Sequence, residues 1–134
     1  MPISVTWDNA EQTVICLTFD GRWTWDDYHT AASEISAMLN SVNHRVDLIV
    51  DFRTSELPNN AVKQVESGSA LFWHPQAGFG VLVGVKGFIR SLLMLFIQVY
   101  PNSAQWLLLA ASVEDAREML ARQHQQPLLA HQLR

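Results

Sequence analysis

The run Phe19-Asp20-Gly21-Arg22-Trp23-Thr24-Trp25-Asp26-Asp27-Tyr28-His29-Thr30-Ala31-Ala32 constrains the fold more than any other stretch of this chain. An apolar strand ends, a turn follows, and two tryptophans lead into a helix. Thr24 is placed to cap that helix, with Asp26 and Asp27 favourable in its first turn. A strand-to-helix junction of this kind opens an α/β domain and sets large aromatics where the chain leaves the sheet. Beyond it, Tyr28, Ala31, Ala32, Ile35, Met38, Leu39 and Val42 recur at helical spacing and form one buried stripe.

The same alternation of strand and helix runs along the chain. Ile3, Val5 and Trp7 alternate with Ser4, Thr6 and Asp8, the period of a half-exposed strand. Asp8-Asn9-Ala10-Glu11 is turn chemistry, so the strand Thr13 to Phe19 pairs back as a hairpin. Val46 to Phe52 is mostly apolar, as a strand buried on both faces of a parallel sheet is. Pro58 opens a second helix with Ala61, Val62, Val65 and Phe72 on its inner face, and His74-Pro75 ends it. Phe79 to Val85 is a third buried strand. Gly87 to Tyr100 is a helix stopped by Pro101, and Trp106 to Ala110 is a short last strand. Ser112 to Asp115 starts a final helix whose inner face is Val113, Ala116, Met119 and Leu120. The order ββαβαβαβα predicts an α/β fold with a mixed, mostly parallel sheet of about five strands and crossover helices. Residues 1–124 form one domain and 125–134 a frayed tail.

Composition narrows the function classes. The 134 residues are 49% hydrophobic and only 16% charged, which leaves few charges to cover a surface and suggests that a second subunit covers part of it. The net charge is −4 and the basic residues are scattered, so no phosphate-tracking patch exists and nucleic acid is not an expected partner. Cys16 is the single cysteine and lies within a strand, as a buried inert thiol. His29, His44, His74, His124 and His131 are spread along the chain without metal-ligand spacing, so neither a metal nor another cofactor is implied. Gly80, Gly84 and Gly87 beside Lys86 lack the spacing of a phosphate loop and fit close strand packing and a helix turn instead. No basic leader precedes the first strand, and no apolar run reaches the roughly 20 residues of a membrane span. A cytoplasmic protein is expected.

The element order, the opening hairpin, the FDGRWTWDDY junction and the VDLIVDF strand resemble the STAS-like superfamily over roughly residues 3 to 122. That group includes anti-sigma-factor antagonists and is similar in fold to CRAL-TRIO lipid-binding domains. Within it the chain looks closest to short, stand-alone bacterial proteins of unassigned function. The antagonists carry a phosphorylatable serine in an Asp-Ser-Ser-Gly-like turn at a helix start. Here the corresponding stretch reads Asp51-Phe52-Arg53-Thr54-Ser55-Glu56-Leu57-Pro58, without the Gly or an Asp directly before the serine. The resemblance marks Thr54 and Ser55 as candidate phospho-acceptors. Read from the residues alone, Asp51, Arg53, Thr54 and Ser55 are either a ligand site at the carboxyl end of a parallel strand or, as favoured here, a strand-to-helix loop with an Asp51–Arg53 ion pair and a Ser or Thr turn.

Two apolar groups are candidate binding surfaces. Trp23, Trp25, Tyr28 and His29 either line a pocket or close the end of the sheet as a lid. In the helix from Gly87, residues Phe88, Ile89, Leu92, Leu93, Leu95, Phe96, Ile97, Val99 and Tyr100 cover most of the circumference, leaving a narrow polar stripe of Arg90, Ser91, Met94 and Gln98. One face suffices to pack on a sheet, so apolar surface is left over. Neighbouring helices, a second copy of the chain or an apolar ligand would each cover it. No acid–base or nucleophile constellation is present, and the expected role is a non-catalytic interaction or regulatory module, a homodimer. The alternative is a small carrier or sensor for a lipid-like ligand, walled by that helix and the Trp23/Trp25 cluster.

Overall fold

The computed structural model describes residues 2–56, 63, 74–102 and 105–125, with the side chains of residues 88, 89, 92, 124 and 125 outside that description. Strands β1 (Ile3–Trp7) and β2 (Val14–Arg22) precede helix α1 (Trp25–Asn40). Strand β3 (Val46–Glu56), strand β4 (Ala77–Val83), helix α2 (Gly87–Val99), strand β5 (Leu107–Ala110) and helix α3 (Val113–Gln125) follow. The strands form one five-stranded sheet in chain order, β1-β2-β3-β4-β5. The hairpin β1–β2 is antiparallel and every later pair is parallel. The mixed, mostly parallel α/β sheet expected from the sequence is thus present. Of the helix expected from Pro58, only Lys63 is described, and it is helical; Ala61, Val62, Val65 and Phe72 lie outside the described residues, as does the tail beyond residue 125.

Strand parity divides the core in two. Ile3 of β1, Ile15, Leu17 and Phe19 of β2, and Val46 and Leu48 of β3 point to one face and bury against Ala31, Ile35 and Leu39 of α1. Val14, Ile49, Phe79, Val81 and Val83 point to the other and bury against Val113, Ala116 and Leu120 of α3. Each of the Val, Leu, Ile and Phe side chains among them contributes about 1.5–3 kcal/mol through its removal from water, and Ala31 and Ala116 less. From Val46 to Asp51 β3 is buried or half-buried on both faces, as its sequence predicts, and this includes the carboxylate Asp47, which is fully inaccessible.

Local chemistry fixes the ends of the elements. Thr24 Oγ1 accepts from the Asp27 backbone N–H while an Asp27 carboxylate oxygen accepts from the Thr24 N–H, a reciprocal capping box at α1. The Gln76 side-chain amide donates to the carbonyls of Leu39 and Val42, closing the other end of α1 onto the start of β4. Asn9 accepts from the Thr13 N–H and donates to Thr13 Oγ1, which sets the hairpin turn.

Two boundaries differ from expectation. β2 runs on through Asp20, Gly21 and Arg22, and β3 runs on through Arg53 to Glu56, pairing Asp20 with Thr54, Gly21 with Ser55 and Arg22 with Glu56. The register shifts between Thr18 and Asp20, where Phe19 alone stands against Phe52 and Arg53. This bulge sharpens the twist and carries a polar two-stranded extension beyond the core. The stretch read as a turn, 20–22, and the stretch read as a strand-to-helix loop, 53–56, are therefore both strand. Their residues alternate too little in polarity to announce it, because the pairing rests on backbone bonds.

Candidate functional site

The strand extension and the start of α1 build an aromatic cluster around Trp23. Its indole N–H donates to Ser55 Oγ at 2.8 Å. The Trp23 ring meets Phe19 edge-on at 4.8 Å and Trp25 at 5.1 Å between centroids, and Trp25 meets Tyr28 at 5.5 Å. Phe52, brought round by the bulge, lies 4.6 Å from Phe19. Trp23 is buried, Trp25 and Tyr28 are half-buried, and burial pushes the Tyr28 phenol above its ordinary value. The rings pack on one another and on the α1 core, with Trp23 innermost. His29 lies on the outer face of α1, exposed, with its ring 5.4 Å from Tyr28.

The two candidate phospho-acceptors differ. Ser55 is half-buried and its hydroxyl oxygen accepts the Trp23 bond. Thr54 is exposed, with its hydroxyl directed at the Phe19 carbonyl at 3.4 Å. Neither is at a helix start: both are strand residues, which corrects the placement implied by the resemblance. Just before them, the Arg53 guanidinium makes two 3.0 Å bonds to Asp51, one to each carboxylate oxygen, and the Arg53 backbone N–H adds a third. Burial pushes the Asp51 carboxyl up, but these bonds and the charge of Arg53 outweigh it and hold it below the ordinary value. The ion pair expected from the sequence is present. Gly84, at φ +78°, lets the chain pass so close that a Cβ there would sit 2.5 Å from Arg53 Cγ.

On the α3 side of β2, Cys16 is half-buried near Thr18, Asp8 and Arg117. Desolvation raises its thiol, against the hydrogen bond with Thr18, so it is held as the thiol rather than the reactive thiolate. Arg117 grips Asp8 with two bonds of 2.8 and 2.9 Å and ties α3 to the hairpin.

The structure exposes a knot that sequence reading missed. Asp47 accepts a 2.7 Å bond from the Phe79 N–H and lies 3.5 Å from the Arg45 guanidinium, which in turn sits 5.6 Å above the Phe79 ring. Phe79 also packs against Trp106 in a tilted contact, with 4.9 Å between ring centroids. A charge inside the run VDLIV was the available signal, since a buried carboxylate requires partners.

Helix α2 carries the second candidate surface. Leu93 is buried and Phe96 and Ile97 are half-buried. Met94, Leu95, Val99 and Tyr100 are 40%, 54%, 55% and 56% exposed, the large hydrophobic side chains that stand out most among the described residues. Leu95 and Val99 are one turn apart, and the Phe96 and Tyr100 rings lie 5.4 Å apart. Phe88 and Leu92, also expected on this surface, belong to α2, but their side chains lie outside the described residues. The leftover apolar surface read from the sequence is therefore present at the C-terminal half of α2. The structure joins Trp23, Trp25 and Ser55 into one group and Leu95, Phe96, Val99 and Tyr100 into another.

Among the described residues no helix is long and apolar enough to cross a membrane. Compared with known proteins, the chain matches no protein-family model, and no curated protein is significantly similar to it.

Proposed function

We propose that this protein is a non-catalytic interaction module of STAS-like kind that binds another protein through the exposed face of α2. The single observation that carries this reading is the set Met94, Leu95, Val99 and Tyr100, apolar and in water on a helix whose own anchor, Leu93, is already buried. Apolar side chains in a row on a helix are the anchors of a helix-to-groove or helix-to-helix contact. Tyr100 adds a ring with a polar tip at the end of the row, a residue type favoured at interfaces. The burial of Trp23 among Phe19, Trp25 and Tyr28 supports a protein surface over a ligand cavity, because that ring is already enclosed. Within this reading Thr54, exposed on the strand extension with its hydroxyl held only by the 3.4 Å bond to the Phe19 carbonyl, is better placed for a regulatory phosphate than half-buried Ser55, which accepts the 2.8 Å Trp23 bond.

The test is native mass spectrometry of the protein purified from its own host, beside the Leu95→Asp/Val99→Asp variant. The expected result is a protein complex that the variant loses while its thermal melt stays unchanged. A bound species of a few hundred daltons that leaves on denaturation would overturn the reading in favour of a carrier of an apolar ligand. These positions are better probes than Phe96, which is half-buried and would confound binding with folding.

A further inference from the structure

Among the described residues the sheet has β1 at one edge and β5 at the other. The Asp20 N–H donates to the Pro2 carbonyl and the Asp8 N–H to the Val14 carbonyl, so the bonds to β2 come from the even-numbered residues of β1. Antiparallel ladders alternate, and Ile3, Val5 and Trp7 therefore aim their N–H and C=O groups away from β2, at the open edge. β1 contains no charge, no proline and no bulge, the devices that normally blunt an edge. The opposite edge is weaker: the Trp106 and Ala110 carbonyls of the β5 segment already face β4, which leaves only Leu107 and Leu109 directed outward.

We propose that two copies of this chain join β1 to β1 in antiparallel register about a two-fold axis at Val5, forming one continuous sheet. The register follows from the outward set. Only with Val5 opposite Val5 do Ile3 and Trp7 of one copy meet Trp7 and Ile3 of the other, so that every outward N–H and C=O finds a partner. Side chains agree with the backbone. Opposed residues in an antiparallel pair share a face, so Ile3, Val5 and Trp7, which pack on the α1 core, extend a common apolar face across the axis. On the other face Ser4 meets Thr6 of the second copy, and two exposed hydroxyls replace water with each other. A two-fold isologous contact also closes on itself and stops at a dimer. This inference rests on the sheet register and not on the α2 reading. It places self-association at β1 and leaves α2 free for a different chain.

The test is sedimentation of the full chain with variants on the exposed face of β1. Wild type is expected to dimerise, with dissociation in the range of small interfaces, roughly micromolar. Ser4→Lys/Thr6→Lys puts like charges opposite each other twice and should weaken the dimer at least about tenfold with an unchanged melt. Ser4→Lys/Thr6→Glu sets opposite charges across the same pairs and should restore it, which separates register from any loss of folding. Leu95→Asp should leave the dimer intact. The proposal falls if wild type is monomeric at roughly 100 μM, if Ser4→Lys/Thr6→Lys dimerises as wild type does, or if Leu95→Asp is the change that dissociates it. That last outcome would put the self-interface on α2 instead.

Discussion

Helices α1 and α2 are built to different standards. α1 has a capping box, two acidic residues in its first turn, a side-chain amide on its last carbonyls and a stripe of three fully buried positions. α2 has no side-chain cap at Lys86, no acidic residue in its first turn and no basic residue in its last. It nonetheless holds more large apolar side chains than it buries. The contrast teaches that apolar content is not a measure of what a helix contributes to the core. In α1 the large hydrophobic residues, Trp25, Tyr28, Ile35, Met38 and Leu39, are all buried or half-buried against the core. In α2 the surplus is set toward solvent, where it weakens solubility unless a partner covers it.

The sharpest way to break this comparison is to make the same change in both helices. Leu39→Ala in α1, at a fully buried site, should cost about 2–5 kcal/mol in denaturant unfolding. Leu95→Ala in α2 should cost no more than about 0.5 kcal/mol, as surface changes do. Equal losses would show that α2 is packed as tightly as α1. Next in size is the cap: Thr24→Ala should lower stability by about 1 kcal/mol, read as a lower melting temperature. The reverse change sharpens the point. Lys86 already has extended cap geometry, so Lys86→Ser should gain up to about 1 kcal/mol at α2 without disturbing its exposed face.

The smallest expected effect concerns the Asp51–Arg53 pair near the end of β3, beside Gly84. Asp51 has a folded pKa below its unfolded value, so its contribution is fully present above the unfolded value, near pH ~4. It is lost as pH falls through the lower folded value. Because Arg53 is nearly half exposed, water screens the pair and the loss should be only a few tenths of a kcal/mol, roughly 0.5 at most. Comparing urea midpoints at neutral and acid pH for wild type and Asp51→Asn measures it, and the variant should lack this part of the acid limb.

Where residues act on near neighbours, the sequence was legible. Thr24 and Asp27 are three apart and meet wherever a helix starts, so the cap of α1 was readable directly. The alternation in Ile3–Trp7 and the apolar run in β3 named their strands because a covered face demands that pattern. The Asp51–Arg53 pair was readable for the same reason, lying two residues apart on one strand. Thr54 and Ser55 were not placed correctly, because strand pairing with Asp20 and Gly21 depends on backbone bonds that polar side chains do not advertise. The partition between Ser55, bonded to Trp23, and exposed Thr54 likewise required knowing where a residue 32 positions away comes to rest.

By itself the sequence determined the periods, the caps and the sheet's mixed character, since these follow from local sterics and from which faces must leave water. Only the tertiary structure decided that α1 and α3 take opposite faces, and that Asp47 is sealed between Arg45 and the Phe79 N–H. It also decided that β1 stands at an edge with three residues turned outward. Those outcomes depend on which distant segments become neighbours, and a backbone N–H reveals its direction only once the strand beside it is in place.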